Sequence, residues 1–344
     1  MSAFLGFGTA LPEHVVDAQA SFAALQHIWP RLRTATAPEV ATRYTVEPLE
    51  NVIRNRSLGD AMRSYAEHAP RLAQLASSRA LADAQLEPRD IDMVISVSCT
   101  GYLVPSLEVR LAAEMGMRAD IIRLPLTELG CSGGAAALAA AHRHLAAYPH
   151  SRVLVVAVEL CSLSFRPDDR SLDNLTAAMV FGDGAAAAVL GGDAGRDGLH
   201  LVRATSRLVP NSASVLGFDL RDSGFHVVLD RRLPRLVEAA LPGAVADFRA
   251  GRRIEALDFY AVHAGGPRIF DAVQSALRLD DEALAVSRQV FREVGNLSSA
   301  SILFSLAALP ETPGEGLAIA FGPGVTIELA HLRRGPSEDF RLVD

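Results

Sequence analysis

The chain has few cysteines, three in 344 residues. Three cysteines cannot build the disulfide framework on which small secreted proteins depend, so we expect a reducing, cytoplasmic environment. The first residues, "MSAFLGFGTALPEHVV", lack the basic segment that opens a secretory signal. Long apolar runs are missing too, because none reaches the ~18 residues that a membrane-spanning helix needs. The sequence therefore predicts a soluble protein without a membrane partner.

Positive charge is also scarce. The formal net charge is −7, and arginine supplies all of the positive charge because the chain contains no lysine. The arginine clusters are short and scattered, as is typical of solvated surface charge. This balance argues against a nucleic-acid partner, whose phosphates attract basic surfaces. With 49% hydrophobic and 21% charged residues, the composition is that of an ordinary globular protein.

Short apolar runs alternate with helical patterns along the chain. Three short apolar runs predict buried strands at 91–99, 153–158 and 257–262. Patterns of helical period lie between and beyond them, at 70–85, 107–115, 134–147, 267–277 and 299–308. The alternation predicts an α/β fold with a parallel or mixed sheet covered on both faces.

The chain is long enough for two domains, and its two halves resemble each other. The glycine-rich segment "LGGDAGRDG" predicts a boundary between an N-terminal half, 1–195, and a C-terminal half, 196–344. "ELGCSGGAA" at 128–136 aligns with "EVGNLSSAS" at 293–301, which matches Cys131 with Asn296. Asp92 and Asp258 precede these two residues at nearly equal distances. The repeat predicts a duplicated half whose helix N-termini meet at a pseudo-twofold axis.

Cys131, His263 and Asn296 are the parts of an acyl-transfer site. A thiolate attacks an acyl carbon, an imidazolium stabilises the thiolate, and N–H donors hold the developing oxyanion. Cys131 stands at the start of a helix of small residues, so we expect a thiolate at neutral pH. His263 begins the sharp turn "HAGGP" after a predicted strand, and such a turn would project its side chain.

The same segment permits a rival interpretation. The stretch "GCSGG" at 130–134 fits G-x-S-x-G, which would make Ser132 the nucleophile of a serine hydrolase, with His263 and either Asp222 or Asp258. Against this, Pro, Thr and Glu interrupt the apolar run "RLPLTELG" before the motif, and no "HGG" oxyanion loop lies upstream. The hydrolase also explains neither the duplication nor the segment "GNLSS". It is a remote alternative.

Five segments, in order, resemble the type III polyketide synthases, the chalcone synthase-like branch of the thiolase-fold condensing enzymes. They are "LGCSGGAAAL", "VFGDGAAAAVL", "VHAGGPRI", "GNLSSAS" and "FGPG", and the resemblance extends from "LPEHVV" to "FGPGVTIEL". It implies a thiolase-like α/β fold of duplicated α-β-α-β-α layered halves, and a homodimer. It also implies iterative decarboxylative condensation of malonyl-CoA onto an acyl-CoA starter. Two alternatives share the fold: a 3-oxoacyl-ACP synthase III-like enzyme, and a silent dimer partner, which the intact Cys-His-Asn set disfavours.

The resemblance assigns roles to particular residues. Cys131 would carry the acyl chain, while His263 and Asn296 would hold the thioester carbonyl and assist decarboxylation. Phe181 would be the aromatic gate beside them. Acyl groups would arrive on coenzyme A, and neither a metal nor another cofactor belongs to this chemistry. The cyclisation cavity would be shaped by the loop that contains Gly322, Pro323 and Gly324.

Further positions of the resemblance concern the walls and the mouth of the cavity. Cys99 and Cys161 would line the pocket, and Val104 belongs to a loop that would reach across the dimer into the partner's cavity. Arg33 falls near a basic position that contacts coenzyme A phosphates.

Two departures from the family pattern bear on the product. Val227 would replace the second gate aromatic and open the tunnel between coenzyme A and the cysteine. Phe218 stands where plant chalcone synthases have Gly and naphthalene-forming relatives have Tyr, so it would narrow one wall. We therefore expect a fatty or other acyl starter that is extended to a tri- or tetraketide pyrone or resorcinol. Tetrahydroxynaphthalene formation from malonyl-CoA alone, which Cys99 favours, is the alternative.

Overall fold

The computed structural model describes residues 1–29, 40–192, 197–250 and 256–335. The strands within these ranges are β1 (Ser2–Ala10), β2 (His14–Asp17), β3 (Thr42–Thr45), β4 (Met93–Val97), β5 (Ile122–Leu126), β6 (Arg152–Leu160), β7 (Asp183–Gly191), β8 (Gly198–Leu208), β9 (Leu216–Arg221), β10 (Gly224–Leu229), β11 (Phe259–Val262), β12 (Gly314–Gly322) and β13 (Thr326–Gly335). The α-helices of the same ranges are α1 (Ala18–Ile28), α2 (Leu49–Val52), α3 (Leu58–Ala84), α4 (Leu107–Met115), α5 (Gly133–Ala147), α6 (Leu172–Val180), α7 (Leu233–Arg249), α8 (Pro267–Leu277), α9 (Ala285–Val294) and α10 (Ser301–Ala307).

Nine strands form one mixed sheet in which the same pattern of strand pairing occurs on both sides of the contact between β1 and β8. The order is β11-β12-β13-β8-β1-β7-β6-β4-β5, and a short antiparallel pairing of β1 with β8 joins the two halves. In the first half, β1 pairs with β7 and β7 with β6 in antiparallel fashion, and β6 then pairs with β4 in parallel. In the second half, β8 pairs with β13 and β13 with β12 in antiparallel fashion, and β12 then pairs with β11 in parallel. β5 extends only the first half. The repeated pattern confirms the predicted duplicated α/β fold.

Two aspartates repeat one contact in both halves. The backbone N–H of Asp92 donates to the carbonyl of Arg152, whose own N–H donates to the Asp92 carboxylate at 2.7 Å. Asp258 makes the same pair of bonds with Glu315, the second at 2.8 Å. Each aspartate thereby ties the start of one strand to the start of the next parallel strand. The repeat therefore extends to individual hydrogen bonds.

The helices α5 and α10 lie between the two halves of the sheet. α5 packs on β4 and β6 on one side and on β8, β12 and β13 on the other. α5 touches the turn that leads into α10: a Cβ at Gly134 would lie 2.2 Å from the carbonyl oxygen of Ser299, so a side chain there has no room. α3 covers β1, β6 and β7 from outside, and α7 packs on β13. These are the α-β-α-β-α layers that the sequence predicts.

The predicted elements agree closely where the apolar pattern is strong. α4 and α8 have the predicted bounds, and β6 contains the predicted strand 153–158. α3 begins twelve residues earlier than predicted, because Ser57 and Asp60 form a capping box and Pro70 is accommodated inside the helix. None of the helices in the described ranges is long and apolar enough to cross a membrane.

Candidate active site

Cys131 lies in a tight turn at the start of α5. The 3₁₀ turn Gly130–Ser132 directly precedes the helix, and Gly130 opens it with a φ of +51°. A Cβ at Gly130 would also lie 2.6 Å from the ring of Pro323, so both the backbone and the packing require glycine there. The turn directs the Cys131 side chain into a cavity, which Cys131 lines.

Ser132, the rival nucleophile, faces elsewhere. Its side chain is buried, its hydroxyl donates to the carbonyl of Leu129 at 2.9 Å, and it packs against Gly322. Ser132 does not line the cavity. A serine whose hydroxyl is committed to a backbone carbonyl and closed off from the cavity has no access to a substrate there.

Ser298 joins two cysteines at the cavity wall. The Cys131 thiol donates to the Ser298 hydroxyl, with Sγ and Oγ 3.5 Å apart. The Cys99 Sγ lies 3.3 Å from the same oxygen. Ser298 has a φ of +47°, and it begins a 3₁₀ turn, Ser298–Ala300, that leads into α10. Sequence reasoning did not identify Ser298, although it lies within the quoted "GNLSSAS" segment.

Asn296 lies just before the second turn, and this corrects the predicted alignment. Gly130 and Ser298 open equivalent turns, so the counterpart of Cys131 is Ser299 and not Asn296. Asn296 instead pairs with Phe181 in an isolated parallel bridge. Its side-chain oxygen accepts from the Ser298 N–H at 2.8 Å. Asn296 is therefore held beside both the predicted gate and the residue that contacts Cys131.

His263 follows β11 and is buried. Its backbone N–H donates to the carbonyl of Ile319 on β12, and its Nδ1 is enclosed with no hydrogen-bond partner among the described residues. Burial lowers the pKa of His263 to about 4. The imidazole is consequently neutral at neutral pH and can accept a proton.

The charge state of Cys131 differs from the predicted thiolate. Burial raises the pKa of the Cys131 thiol to about 12, and this effect outweighs the opposite effect of the hydrogen bond with Ser298. Desolvation disfavours the charged form of each group and so opposes the predicted thiolate–imidazolium pair.

Most of the predicted wall residues line one cavity with Cys131. The cavity contains about 1030 Å³ of empty space, including its open mouth. The predicted residues on its wall are Cys99, Cys161, Phe181, Phe218, Val227 and Pro323. The wall does not include His263, Asn296, Gly322 or Gly324. Val104 is 82% exposed and lies away from this cavity, and Arg33 falls outside the described residues.

The hairpin β9–β10 supplies one wall of the cavity. Phe218 and Val227 are paired across the two strands. Phe225, two residues before Val227, packs edge to face on Phe218 with ring centroids 5.5 Å apart. An aromatic ring thus remains on this hairpin beside the valine. Sequence reasoning missed it although the segment "GFHVV" contains it.

A buried carboxylate, Glu159, organises the loops around Cys99. It accepts the backbone N–H of Cys99 at 3.1 Å and of Thr100 at 3.2 Å, and the Thr100 hydroxyl at 2.7 Å. The Ser299 hydroxyl also donates to it, which links the two halves. Burial raises the pKa of Glu159. A glutamate inside an apolar strand is the signal that could have identified it from the sequence.

Arg43 is a second buried charge at the cavity, and it holds the backbone of the predicted gate. Its guanidinium donates to the carbonyls of Ala178 and Phe181, the latter at 3.3 Å. Burial lowers the pKa of Arg43 to about 10, and Asp183 partly offsets this effect.

The described residues contain no group of three or more His, Cys, Asp or Glu side chains placed to hold a metal ion.

Comparison with known proteins places this site in a family. Residues 54–194 match the N-terminal domain of the chalcone and stilbene synthases, and residues 200–335 match the C-terminal domain. The 1,3,6,8-tetrahydroxynaphthalene synthase of Streptomyces coelicolor is 37% identical, with 96% of this chain and 93% of that protein covered. The phloroglucinol synthase of Pseudomonas fluorescens is 30% identical, with 93% of this chain and 95% of that protein covered.

A solved structure extends the comparison to the fold. The crystal structure of the S. coelicolor tetrahydroxynaphthalene synthase, a bacterial type III polyketide synthase, aligns with a TM-score of 0.89 at 35% identity. The alignment covers 95% of this chain and 98% of that one. The chain belongs to the chalcone and stilbene synthase family, and it is a type III polyketide synthase.

Proposed function

We propose that this synthase loads an acyl group from coenzyme A onto Cys131 and extends it repeatedly with malonyl-CoA. The observation that carries the proposal is the position of the Cys131 thiol, which lies on the wall of the cavity at the start of α5. Ser132, the rival nucleophile, does not line this space.

The neutral thiol and imidazole define the loading step. Because His263 is neutral, it accepts the proton of Cys131 as the sulfur attacks the thioester carbonyl of the starter. The tetrahedral intermediate then collapses, the carbon–sulfur bond to coenzyme A breaks, and the proton passes to the departing thiolate. The partial positive charge at the N-terminus of α5 favours the sulfur anion that forms during the attack.

Condensation uses the same residues. Malonyl-CoA loses carbon dioxide, and the electron pair of the broken carbon–carbon bond forms an enolate on the thioester carbonyl. His263 and Asn296 would donate N–H groups to that oxygen. The enolate carbon attacks the acyl group on Cys131, whose thiolate leaves and is free to be reloaded with the longer chain. Asn296 is supported for this role by its bridge to Phe181 and its bond to Ser298.

An apolar arm of the cavity favours a hydrophobic starter. Ala24 and Leu25 of α1, Val52 at the end of α2 and Ile53 beyond it line the cavity together with Phe165. These side chains solvate an alkyl chain. We therefore infer a fatty or other apolar acyl-CoA starter and a tri- or tetraketide pyrone or resorcinol product.

One observation favours a second product. The Cys99 thiol shares Ser298 with Cys131, so a second sulfur lies on the wall where the growing chain passes. The relative from S. coelicolor forms 1,3,6,8-tetrahydroxynaphthalene. A naphthalene made from malonyl-CoA alone is therefore the second candidate.

One assay separates these outcomes and tests the proposal. The purified enzyme is incubated with malonyl-CoA alone or with acyl-CoA starters of increasing length, and the products are identified by mass spectrometry. Products that contain the starter support the first candidate, and a pentaketide naphthalene without a starter supports the second. Cys131→Ala should abolish all of them, and Ser132→Ala should keep most activity. Activity in Cys131→Ala would overturn the proposal.

We also infer that the synthase is a homodimer that uses the open edge of its sheet. β5 is the last strand in the sheet order, and apolar side chains near it are exposed. We call them the edge patch: Tyr102, Val104, Ile122 and Leu129. Exposed apolar groups at an unpaired strand edge are typical of a protein interface. Val104, 82% exposed, would reach the partner's cavity from here.

A further inference from the structure

The tip of the β9–β10 hairpin carries a serine and a histidine that form one hydrogen-bonded row with an aspartate. The Ser223 Oγ lies 2.7 Å from the Nε2 of His226. The Nδ1 of the same ring lies 3.3 Å from a carboxylate oxygen of Asp169, which belongs to the loop before α6. The imidazole thus faces a hydroxyl with one nitrogen and a carboxylate with the other. None of the three residues lines the cavity that contains Cys131.

The direction of these hydrogen bonds follows from the charge of Asp169. Burial acts to raise the pKa of this carboxyl, but hydrogen bonds from Ser171 and from His226 outweigh burial and lower the pKa. The carboxylate is therefore ionised at neutral pH and accepts the Nδ1–H of His226. In the neutral ring Nε2 is then unprotonated, so it accepts the proton of the Ser223 hydroxyl. This is the arrangement in which a histidine acts as a general base toward a serine.

Asp169 is held in position by its own loop. Its other carboxylate oxygen accepts the Ser171 N–H at 2.9 Å. The side-chain amide of Asn174 donates to two carbonyls of the loop, at 2.7 and 2.8 Å, and ties the loop to the start of α6. β10 is fixed to the same helix, because the Leu229 N–H donates to the Asp173 carboxylate at 2.9 Å. The loop and the hairpin therefore meet in a defined position, as a reacting constellation requires.

A buried arginine lies against the turn of the hairpin. A Cβ at Gly224 would lie 1.5 Å from the Nη2 of Arg166, so only glycine lets the turn approach this guanidinium so closely. The Nε of Arg166 is buried and has no hydrogen-bond partner among the described residues. The Ser223 N–H belongs to the turn and lies outside the paired strands. This N–H and the adjacent positive charge would stabilise an oxyanion that forms at Ser223.

The row of side chains lies on the face of the hairpin that is turned away from the cavity. Val227 lines the cavity, and neighbouring residues of a strand point to opposite faces, so His226 points away from it. The His226 side chain is only 13% exposed, whereas Ser223 is exposed. Asp219, opposite His226 across the hairpin, is paired with Arg221 at 2.7 Å. The nucleophile is thus open to solvent while the base is shielded.

We propose that Ser223, His226 and Asp169 form a second, hydrolytic site for small carboxylic esters of alcohols and phenols, which can reach an exposed turn. The Ser223 oxygen attacks the ester carbonyl, and its proton passes to the Nε2 of His226. The bond to the alcohol oxygen breaks, and His226 gives the proton to the leaving group. Water, deprotonated by the same nitrogen, then attacks the acyl-serine and releases a carboxylic acid and the free hydroxyl. Asp169 stays ionised and orients the ring.

A variant without the cavity nucleophile tests the site, and the Cys131→Ala protein serves as the background. In it, a fluorophosphonate should label Ser223, as found by peptide mapping, and p-nitrophenyl acetate should give an initial burst of p-nitrophenolate. Ser223→Ala should remove both the label and the burst. His226→Ala should lower the labelling rate about 10²–10⁴-fold, the usual contribution of a general base. Asp169→Asn should also lower this rate, with an unchanged circular dichroism spectrum, because the ring loses the partner that fixes its tautomer.

Ser214→Ala is the matched control, because Ser214 is an exposed serine in the turn before β9. It should keep both the label and the burst. An unlabelled Ser223, a burst that persists in Ser223→Ala, or an equal loss in Ser214→Ala would overturn the proposal. A labelling rate unchanged in both His226→Ala and Asp169→Asn would also overturn it, because Ser223 would then react without the histidine. These measurements need no polyketide formation, so their outcome is independent of the proposed function.

Discussion

Cys131 and Ser132 are adjacent in the chain but lie in different surroundings. The Cys131 thiol reaches the cavity and Ser298, whereas the Ser132 hydroxyl is held by the carbonyl of Leu129. A sequence pattern that fits both nucleophiles cannot decide between them, because the choice depends on which way a single turn faces. The positive φ of Gly130 fixes that direction.

The ionisation of Cys131 gives a prediction about pH. Thiolate is the form that reacts with iodoacetamide, and the pKa of Cys131 is raised to about 12. The thiolate fraction, and with it the labelling rate, should therefore increase about tenfold per pH unit between about pH 7 and 9. Peptide mapping assigns the label to Cys131. Because His263 is neutral here, His263→Ala should leave the profile in place. A rate that is already high and flat below pH 8 would contradict the account.

Phe218 gives a prediction about product length. Its ring lines the cavity on β9 and leans on Phe225, so its removal enlarges that wall. Phe218→Ala should admit longer starters or add an extension, which mass analysis of the products measures. Leu220→Ala is the matched control, because Leu220 lies on the same strand outside the cavity wall. An unchanged product series in Phe218→Ala, or an equal change in Leu220→Ala, would show that Phe218 does not set the length.

At the scale of elements, the duplication explains how the site is built. Two equivalent 3₁₀ turns lead into α5 and α10, which are packed against each other between the halves of the sheet. One turn carries Cys131, and the other carries Ser298 and Ser299. Glu159, at the end of β6, reaches both the Cys99 loop and Ser299. The site is thus held by a buried carboxylate that crosses from one half to the other.

Glu159 gives a prediction about stability. One of its oxygens accepts two backbone N–H groups that cannot reverse their direction, so Glu159→Ala would leave both donors without this acceptor. The free energy of unfolding should fall by about 1–3 kcal/mol, measured by denaturant unfolding. Glu108 is the matched control: it is also buried but accepts only from the hydroxyls of Ser96 and Ser106, which can rotate. Equal losses in Glu159→Ala and Glu108→Ala would contradict this explanation.

Local sequence patterns predicted the repeat, α4, α8 and most wall residues of the cavity. These features depend on the spacing of apolar residues and on glycine-rich turns, which can be recognised within a short stretch of sequence. They did not predict that Asn296 precedes its turn, since a shift of a few residues leaves the pattern of small side chains intact. They also did not predict the neutral Cys131, because desolvation depends on packing from both halves. Phe225 and Glu159 matter only through neighbours that are distant in sequence.

The whole molecule offers an open sheet edge at β5. The edge patch combines exposed apolar side chains with an unpaired strand, which is a hazard for an isolated monomer. A partner copy would cover it.

The proposed dimer gives a prediction about mass in solution. Ile122→Glu places a charge in the edge patch and should convert the dimer to a monomer in light scattering after size exclusion. Leu208→Glu changes a leucine on β8, away from β5, that is more exposed than Ile122, and it should leave the mass unchanged. A wild-type protein that is monomeric, or a dimer that persists in Ile122→Glu, would contradict the proposed interface.

The central claim is that Cys131 carries the growing chain, and intact-protein mass spectrometry with peptide mapping tests it most directly. After incubation with an acyl-CoA starter and no malonyl-CoA, the enzyme should gain the mass of one acyl group. The adduct should map to the peptide that contains Cys131, persist in Ser132→Ala and be absent from Cys131→Ala. An acyl group on Ser132, or an adduct that survives in Cys131→Ala, would contradict the account.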